Sequence, residues 1–211
     1  MARGGAGALT VVPADWLQRR IVRLGYLHGP RVTSRLRKRW VVLRNPQATI
    51  SFGPRTHLGP GFSLHAPWGG TFAVGPDVEF RRNFRAELAG PEARIEIGAG
   101  SVCTYDVIIQ CGTSISIGER CMFGQATLVV DGNHRFRDLE TPMLDQGYDY
   151  RPLRIADDAT VTTKCTIIAD IGERAFIGAN SVVSRPIAAF TLAAGAPARE
   201  VEYFGPQPRT T

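Results

Sequence analysis

Residues 171–183 read Ile171-Gly172-Glu173-Arg174-Ala175-Phe176-Ile177-Gly178-Ala179-Asn180-Ser181-Val182-Val183. Ile171, Ile177 and Val183 are six positions apart, and a glycine follows each of the first two. The same spacing recurs upstream. It joins Phe52, Leu58 and Leu64, then Val74 and Phe80, then Ile97, Cys103 and Ile109, then Ile117, Phe123 and Val129, then Ile155, Val161 and Ile167. Glycine keeps one phase of this pattern at Gly53, Gly59, Gly75, Gly98, Gly118, Gly124, Gly172 and Gly178. An α-helix repeats every 3.6 residues and a half-buried strand every two, so neither sustains a period of six. The pattern fits an all-β solenoid. Each unit gives a short strand and a turn, three units close a coil, and stacked coils bury one continuous interior. The glycine is read as the residue that frees the backbone at the corner. Two intervals depart from eighteen, 20 residues from Ile97 to Ile117 and 16 from Ile155 to Ile171, and are read as bulged or tightened corners. A sandwich with glycine-rich turns is the weaker alternative.

The chain of 211 residues is 44% hydrophobic and 21% charged, which suits a folded domain and excludes a disordered tail protein or a collagen-like fibre. No run of eighteen apolar residues is present to make a membrane-spanning helix. The net charge of +6 is unevenly placed. Residues 1–45 carry ten basic side chains against Asp15 alone, a local charge of +9 that leaves −3 for the rest. Three segments are expected: a basic arm over 1–48, the repeats over 49–201, and a tail over 202–211. Trp16, Leu17, Ile21, Leu24 and Leu27 have helical spacing and predict a short amphipathic helix in the arm, after which residues 35–50 pass into the first coil. Two roles are open for the arm. It caps the exposed edge of the first coil, the favoured reading, or it grips an anionic surface such as nucleic acid or a membrane; of these, peripheral membrane contact through residues 15–45 is kept and no nucleic-acid partner is expected.

The first residues lack a signal-peptide core, so a cytoplasmic location is expected, with Cys103, Cys111, Cys121 and Cys165 as reduced thiols. These cysteines have no C-x-x-C spacing and read as small core residues. Residues 131–152 break the rhythm and form a long insertion, where function tends to sit on a repetitive scaffold.

Taken together, the repeats, residues 171–201 ending in Gly195-Ala196-Pro197-Ala198-Arg199, and Asp131-Gly132-Asn133-His134 resemble the hexapeptide-repeat acyltransferases. The resemblance covers about residues 50–201 and is closest to the branch of sugar O-acetyltransferases and xenobiotic acetyltransferases. It implies a left-handed parallel β-helix, a homotrimer with sites between subunits, and acetyl-CoA as co-substrate with no metal. It places the catalytic base at His134. Acyl transfer to a hydroxyl needs a base that works near neutrality, and histidine is that residue. The other histidines, His28, His57 and His65, are given no role.

For the cofactor, the resemblance implies an oxyanion donor at the Thr163 amide and a pantetheine contact at Ala179. It places phosphate contacts at Ser184 and Arg185, and the terminal basic residue at Arg199. The triplet before Thr163 reads Thr160-Val161-Thr162, where the family has Trp and Gly at the outer positions. For the acceptor, the family's Asn falls on Thr104, with Asp106 expected two residues on along the same strand face. Asp131 either orients an acceptor hydroxyl or the imidazole, or is ordinary turn chemistry. Tyr148 and Tyr150 stack on a sugar or pack against a subunit. A carbonic anhydrase on the same scaffold would need three converging histidines, and only His134 lies in the later coils. A nucleotidyltransferase would carry a dinucleotide-type domain, and the short arm has no G-x-G-x-x-G. Detoxification of a xenobiotic, or a non-catalytic solenoid bound through its arm, are the remaining alternatives.

Overall fold

The computed structural model describes residues 32–206. The amphipathic segment expected between Trp16 and Leu27 lies outside the described residues. From Thr49 onward, outside an insertion that holds one short 3₁₀ helix at Met143–Asp145, the chain is laid out as short strands that visit three sheets in rotation. Thr49–Phe52, His57–Leu58 and Ser63–His65 start the three sheets, and Thr71–Val74, Glu79–Phe80 and Arg85–Leu88 repeat the circuit one layer on. Pairing between layers is parallel. In the second sheet the register stacks Leu58, Phe80, Cys103, Phe123, Val161 and Ile177 in one column. In the first it stacks Phe52, Val74, Ile97, Ile117 and Ile155. The six-residue period of the sequence is thus the spacing from one side of a three-sided coil to the next. The inward residues named above are buried, except Phe52, which is half-buried and packs against Phe62 and Phe72.

The glycine phase has a different cause from the one read in the sequence. Left-handed backbone falls two residues after the expected glycine, at Arg55, Asp77, Arg120, Ala126, Arg174 and Asn180 among others. The glycines themselves are where successive coils touch. A Cβ on Gly98 would lie 2.4 Å from the Gly118 carbonyl carbon and 2.6 Å from the Glu119 nitrogen. Those are backbone atoms with no freedom to yield. Gly98→Ala is therefore expected to destabilise the fold by about 1–3 kcal/mol, the usual cost of overpacking. The midpoint of denaturant unfolding would record it, and an unchanged midpoint would show that the coils can part without cost.

Within each coil the steps from first to second and from second to third sheet keep six residues, so the irregular intervals belong to the corner between third and first sheets. That corner also carries the long insertion between Val130 and Leu153.

Both ends are covered. Residues 32–44 are helical, where the sequence suggested a passage into the coil. The Leu58 N–H donates to Ser34 Oγ at 2.9 Å, the Ala66 N–H to Asn45 Oδ1 at 3.2 Å, and Arg37 to the Leu58 carbonyl at 2.8 Å. These bonds satisfy the open edge of the first coil, a service every exposed strand edge needs. The signal was missed because Ser34 and Asn45 join Val41 as the buried residues while larger apolar ones point outward. At the other end Thr191–Gly195 pairs antiparallel with Ala198–Tyr203, so ordered strand runs two residues past the expected boundary at 201.

All four cysteines are buried and free. Burial, helped by Asp131, pushes the Cys111 thiol up to about 12; burial alone dominates at Cys121, at about 11, and also raises Cys103. Only the thiolate is reactive. A disulfide reagent at mildly alkaline pH should leave Cys103, Cys111 and Cys121 unmodified in the native protein and reach them once it is denatured. Rapid native labelling of these positions would contradict their burial.

Candidate functional site

The insertion folds as a hairpin. Gly132–His134 pairs antiparallel with Tyr148–Tyr150, setting Gly132 opposite Tyr150 and His134 opposite Tyr148. Asp131 is its root. This side chain is 5% exposed, and its two oxygens accept from the Gly112 and Thr113 amides, both at 2.7 Å. The Cys111 thiol lies 3.4 Å from the same carboxylate. The Asp131 carboxylate is therefore turned toward the preceding coil and held by its backbone amides.

Two glycines then seat an aromatic ladder. A Cβ on Gly112 would lie 2.0 Å from the Tyr150 ring, and one on Gly132 would lie 2.2 Å from it. Tyr150 rests on both, Tyr148 stacks on Tyr150 at 5.4 Å, and His134 packs on Tyr148 at 4.2 Å between ring centroids. Arg135 closes the strands through an ion pair with Asp149 at 2.7 Å. Further out, Asp138 accepts from Thr141 and Gln146 bridges the turn. The imidazole is exposed, held by stacking, and makes no side-chain hydrogen bond among the described residues.

His134 stands at a cleft of about 720 Å³. The outward row of the third sheet forms the wall: His65 lies opposite Glu87, and Glu87 opposite Gln110, whose amide donates to the Glu87 carboxylate at 3.1 Å. Trp68, 70% exposed, and the ladder tyrosines complete it. Burial, then the nearby Tyr148, Asp131 and Glu87, raises the Tyr150 phenol, which stays a neutral hydroxyl. The cleft pairs an accessible imidazole with aromatic faces and a carboxylate held by Gln110. His65, given no role from sequence, lies in this wall, as do Glu87, Gln110 and Trp68. The signal was available: His65, Glu87, Gln110 and Val130 each follow a third-sheet inward residue by one position.

The remaining residues sort to two corners. Ser184 and Arg185 follow Val183 at the corner that carries the hairpin, two coils on, and both are exposed. Thr104, Thr163 and Ala179 lie at the corner between second and third sheets, at the opposite ends of the third-sheet strands. Thr163 and Ala179 are stacked, with the Asn180 N–H donating to the Thr163 carbonyl at 3.0 Å. Neither the Thr163 nor the Ala179 amide N–H donates to another described residue, and the same holds for Tyr105 and Gln125 in that column. The coil thus leaves a row of unused donors down this corner. Arg199 is exposed on the last strand beside Ala194, near the same corner.

Thr104 and Asp106 do not share a strand face. Thr104 follows the strand that ends at Cys103, and Asp106 is in the turn, with φ of 59° and its carboxylate accepting from Asn83 at 2.9 Å. The strand is only two residues long, so alternation does not reach Asp106. Thr104 Oγ1 is buried with no hydrogen-bond partner among the described residues. Within one chain, neither residue lines the cleft at His134. Among the described residues there is no cluster of metal-ligating side chains and no helix long and apolar enough to cross a membrane.

No family model matches the chain. A probable acetyltransferase of Mycobacterium tuberculosis is 29% identical over 150 residues, covering 69% of this chain. The chain spans about half, 49%, of that relative's length. A hexapeptide-repeat-containing acetyltransferase of Vibrio cholerae matches with 25% identity and a TM-score of 0.53, over 71% of this chain and 74% of that one. The same Vibrio cholerae protein complexed with acetyl coenzyme A matches with a TM-score of 0.56 and 21% identity, over 78% and 76%. A variant of an N-acyltransferase from Bacillus cereus, in complex with dTDP and coenzyme A, reaches a TM-score of 0.58 at 16% identity, over 76% and 87%.

Proposed function

We propose that this chain, built as a hexapeptide-repeat acetyltransferase, transfers an acetyl group from acetyl-CoA to a hydroxyl of a sugar or glycan-type acceptor, with His134 as the base. One observation carries the reading: the hairpin holds His134 on two stacked tyrosines at the mouth of a cleft lined by aromatic and hydrogen-bonding side chains. The likeness to acetyltransferases, one of them complexed with acetyl coenzyme A, supports the donor.

The acceptor hydroxyl lies in the cleft and gives its proton to the His134 imidazole as its oxygen attacks the thioester carbonyl. The carbonyl becomes a tetrahedral oxyanion, which needs fixed donors. The unused Thr163 and Ala179 amides are such donors, Thr163 for the oxyanion and Ala179 for the pantetheine chain. Collapse expels the CoA thiolate, and the imidazolium returns the proton to that sulfur. Ser184, Arg185 and Arg199 are assigned to the anionic end of the cofactor; arginine offers a planar fork to a phosphate.

His134 and the amide row occupy opposite corners of one chain, so a second copy must bring them together. A homotrimer of left-handed coils, with the hairpin of one subunit against the amide corner of the next, meets that requirement. In such an assembly Thr104 is supplied across the interface. The enzyme is assigned to the cytoplasm, where its thiols stay reduced and acetyl-CoA is present.

The test is acceptor-dependent release of CoA thiol. Purified protein is incubated with acetyl-CoA and a panel of saccharides, alongside amine-bearing counterparts and apolar alcohols. Release that requires a hydroxylated sugar supports the reading. Release with amino sugars alone moves the reaction to N-acylation, and release with apolar alcohols alone favours a xenobiotic acceptor.

A further inference from the structure

The helix over 32–44 has two unlike faces, a mostly polar one toward the coil and an apolar one away from it. Ser34, Val41 and Asn45 turn toward the coil, and Arg37 and Lys38 lean the same way, to the Leu58 carbonyl and the Phe52 ring. On the opposite side Val32, Leu36, Trp40 and Leu43 form an apolar stripe, spaced for one helical face. They are exposed by 57%, 59%, 58% and 71%, and no described residue covers them. Arg35 and Arg39 flank the stripe on one side, and Arg44 lies over the Trp40 ring at 5.8 Å on the other.

We propose that this outward face docks on an anionic lipid bilayer, with the helix lying in the plane of the interface above the first coil. Charge selects the occupant. Between residues 16 and 45 the sequence holds nine basic side chains and no acidic one. Folding residues 16–31 of the same chain onto the stripe, or pairing it with a second copy, would set arginine against arginine. A nucleic acid answers the charge but gives Leu36 and Leu43 no apolar medium. A bilayer bearing anionic headgroups answers both. It takes leucine and valine below the headgroups, tryptophan at their level, and arginine against the phosphates.

The proposal is independent of the reaction at His134, and its test uses no acetyl-CoA. The full chain is sedimented with vesicles of phosphatidylcholine alone and of phosphatidylcholine with phosphatidylglycerol. Binding is expected to the anionic vesicles only, weakening as salt rises. Leu36→Asp with Leu43→Asp, both at exposed positions, should reduce the partition by about tenfold or more, since each buried leucine contributes at least that much. Arg35→Glu with Arg39→Glu reads the same face if the first pair alters the melting curve. No binding to either vesicle overturns the proposal. So does binding that both variants retain, and so does tighter binding to duplex DNA that the leucine substitutions leave intact.

Discussion

His134→Ala is expected to lower kcat by about a hundredfold to ten-thousandfold, the range a positioned general base supplies. Acetyl-CoA affinity should be unchanged. His134 is on the hairpin at the corner between third and first sheets, and the unused amides assigned to the cofactor are at the other end of the third-sheet strands. The ring is exposed and stacks on Tyr148 with no side-chain hydrogen bond among the described residues, so removing it leaves no buried cavity and no orphaned partner among them. A melting curve like that of the parent would show this. Steady-state thiol release and a binding titration together separate the outcomes. Loss of kcat with retained binding fits a base, whereas loss of binding with unchanged kcat would reassign His134 to the cofactor site. Full activity in the variant would remove it from the chemistry.

Asp131→Ala should act on the fold as well as the reaction. The side chain is almost fully buried, and it accepts two short charge-assisted hydrogen bonds from Gly112 and Thr113. Removing it strands two backbone donors below the hairpin. Each stranded donor costs about 1–3 kcal/mol, and bonds to charged groups lie at the upper end. A loss of about 2–5 kcal/mol in unfolding free energy is expected. Tyr150 packs on Gly112, so the ladder that carries His134 shifts with that loop and activity falls too. Asp131→Asn keeps one acceptor oxygen and should recover part of both. If Asp131→Ala abolished activity while unfolding at the parental midpoint, the residue would be acting on the reactants and not on the hairpin.

The repeat was legible because one apolar column per sheet is made of large residues, such as Phe80, Phe123, Val161 and Ile177. A second inward column, two positions earlier, holds Thr56, Val78, Ser101, Cys121, Ala159 and Ala175. Small and polar residues hid it, and it explains why Cys121 is buried. The phase of the glycines was readable but not its cause. A spacing cannot distinguish a corner that needs left-handed backbone from a stack that leaves no room for Cβ. The helix over 32–44 escaped because its coil-facing residues act through hydrogen bonds to Leu58 and Ala66, partners some twenty positions away.

His134 was marked by the resemblance of Asp131-Gly132-Asn133-His134 to the family, whereas the wall of its cleft is assembled across coils. His65, Glu87 and Gln110 are separated by more than twenty residues in sequence and meet only when the coils stack in register. Asp106 was misplaced for the opposite reason. Two-residue alternation was extended through a strand that ends at Cys103.

Every step proposed at His134 requires a bound acyl donor. Titrating the purified chain with acetyl-CoA by calorimetry tests that without knowledge of the acceptor. Saturable binding in the micromolar range, about −8 kcal/mol, is the expected result. A folded protein that gives no binding heat with acetyl-CoA, and none with longer acyl-CoA thioesters, would contradict the assignment.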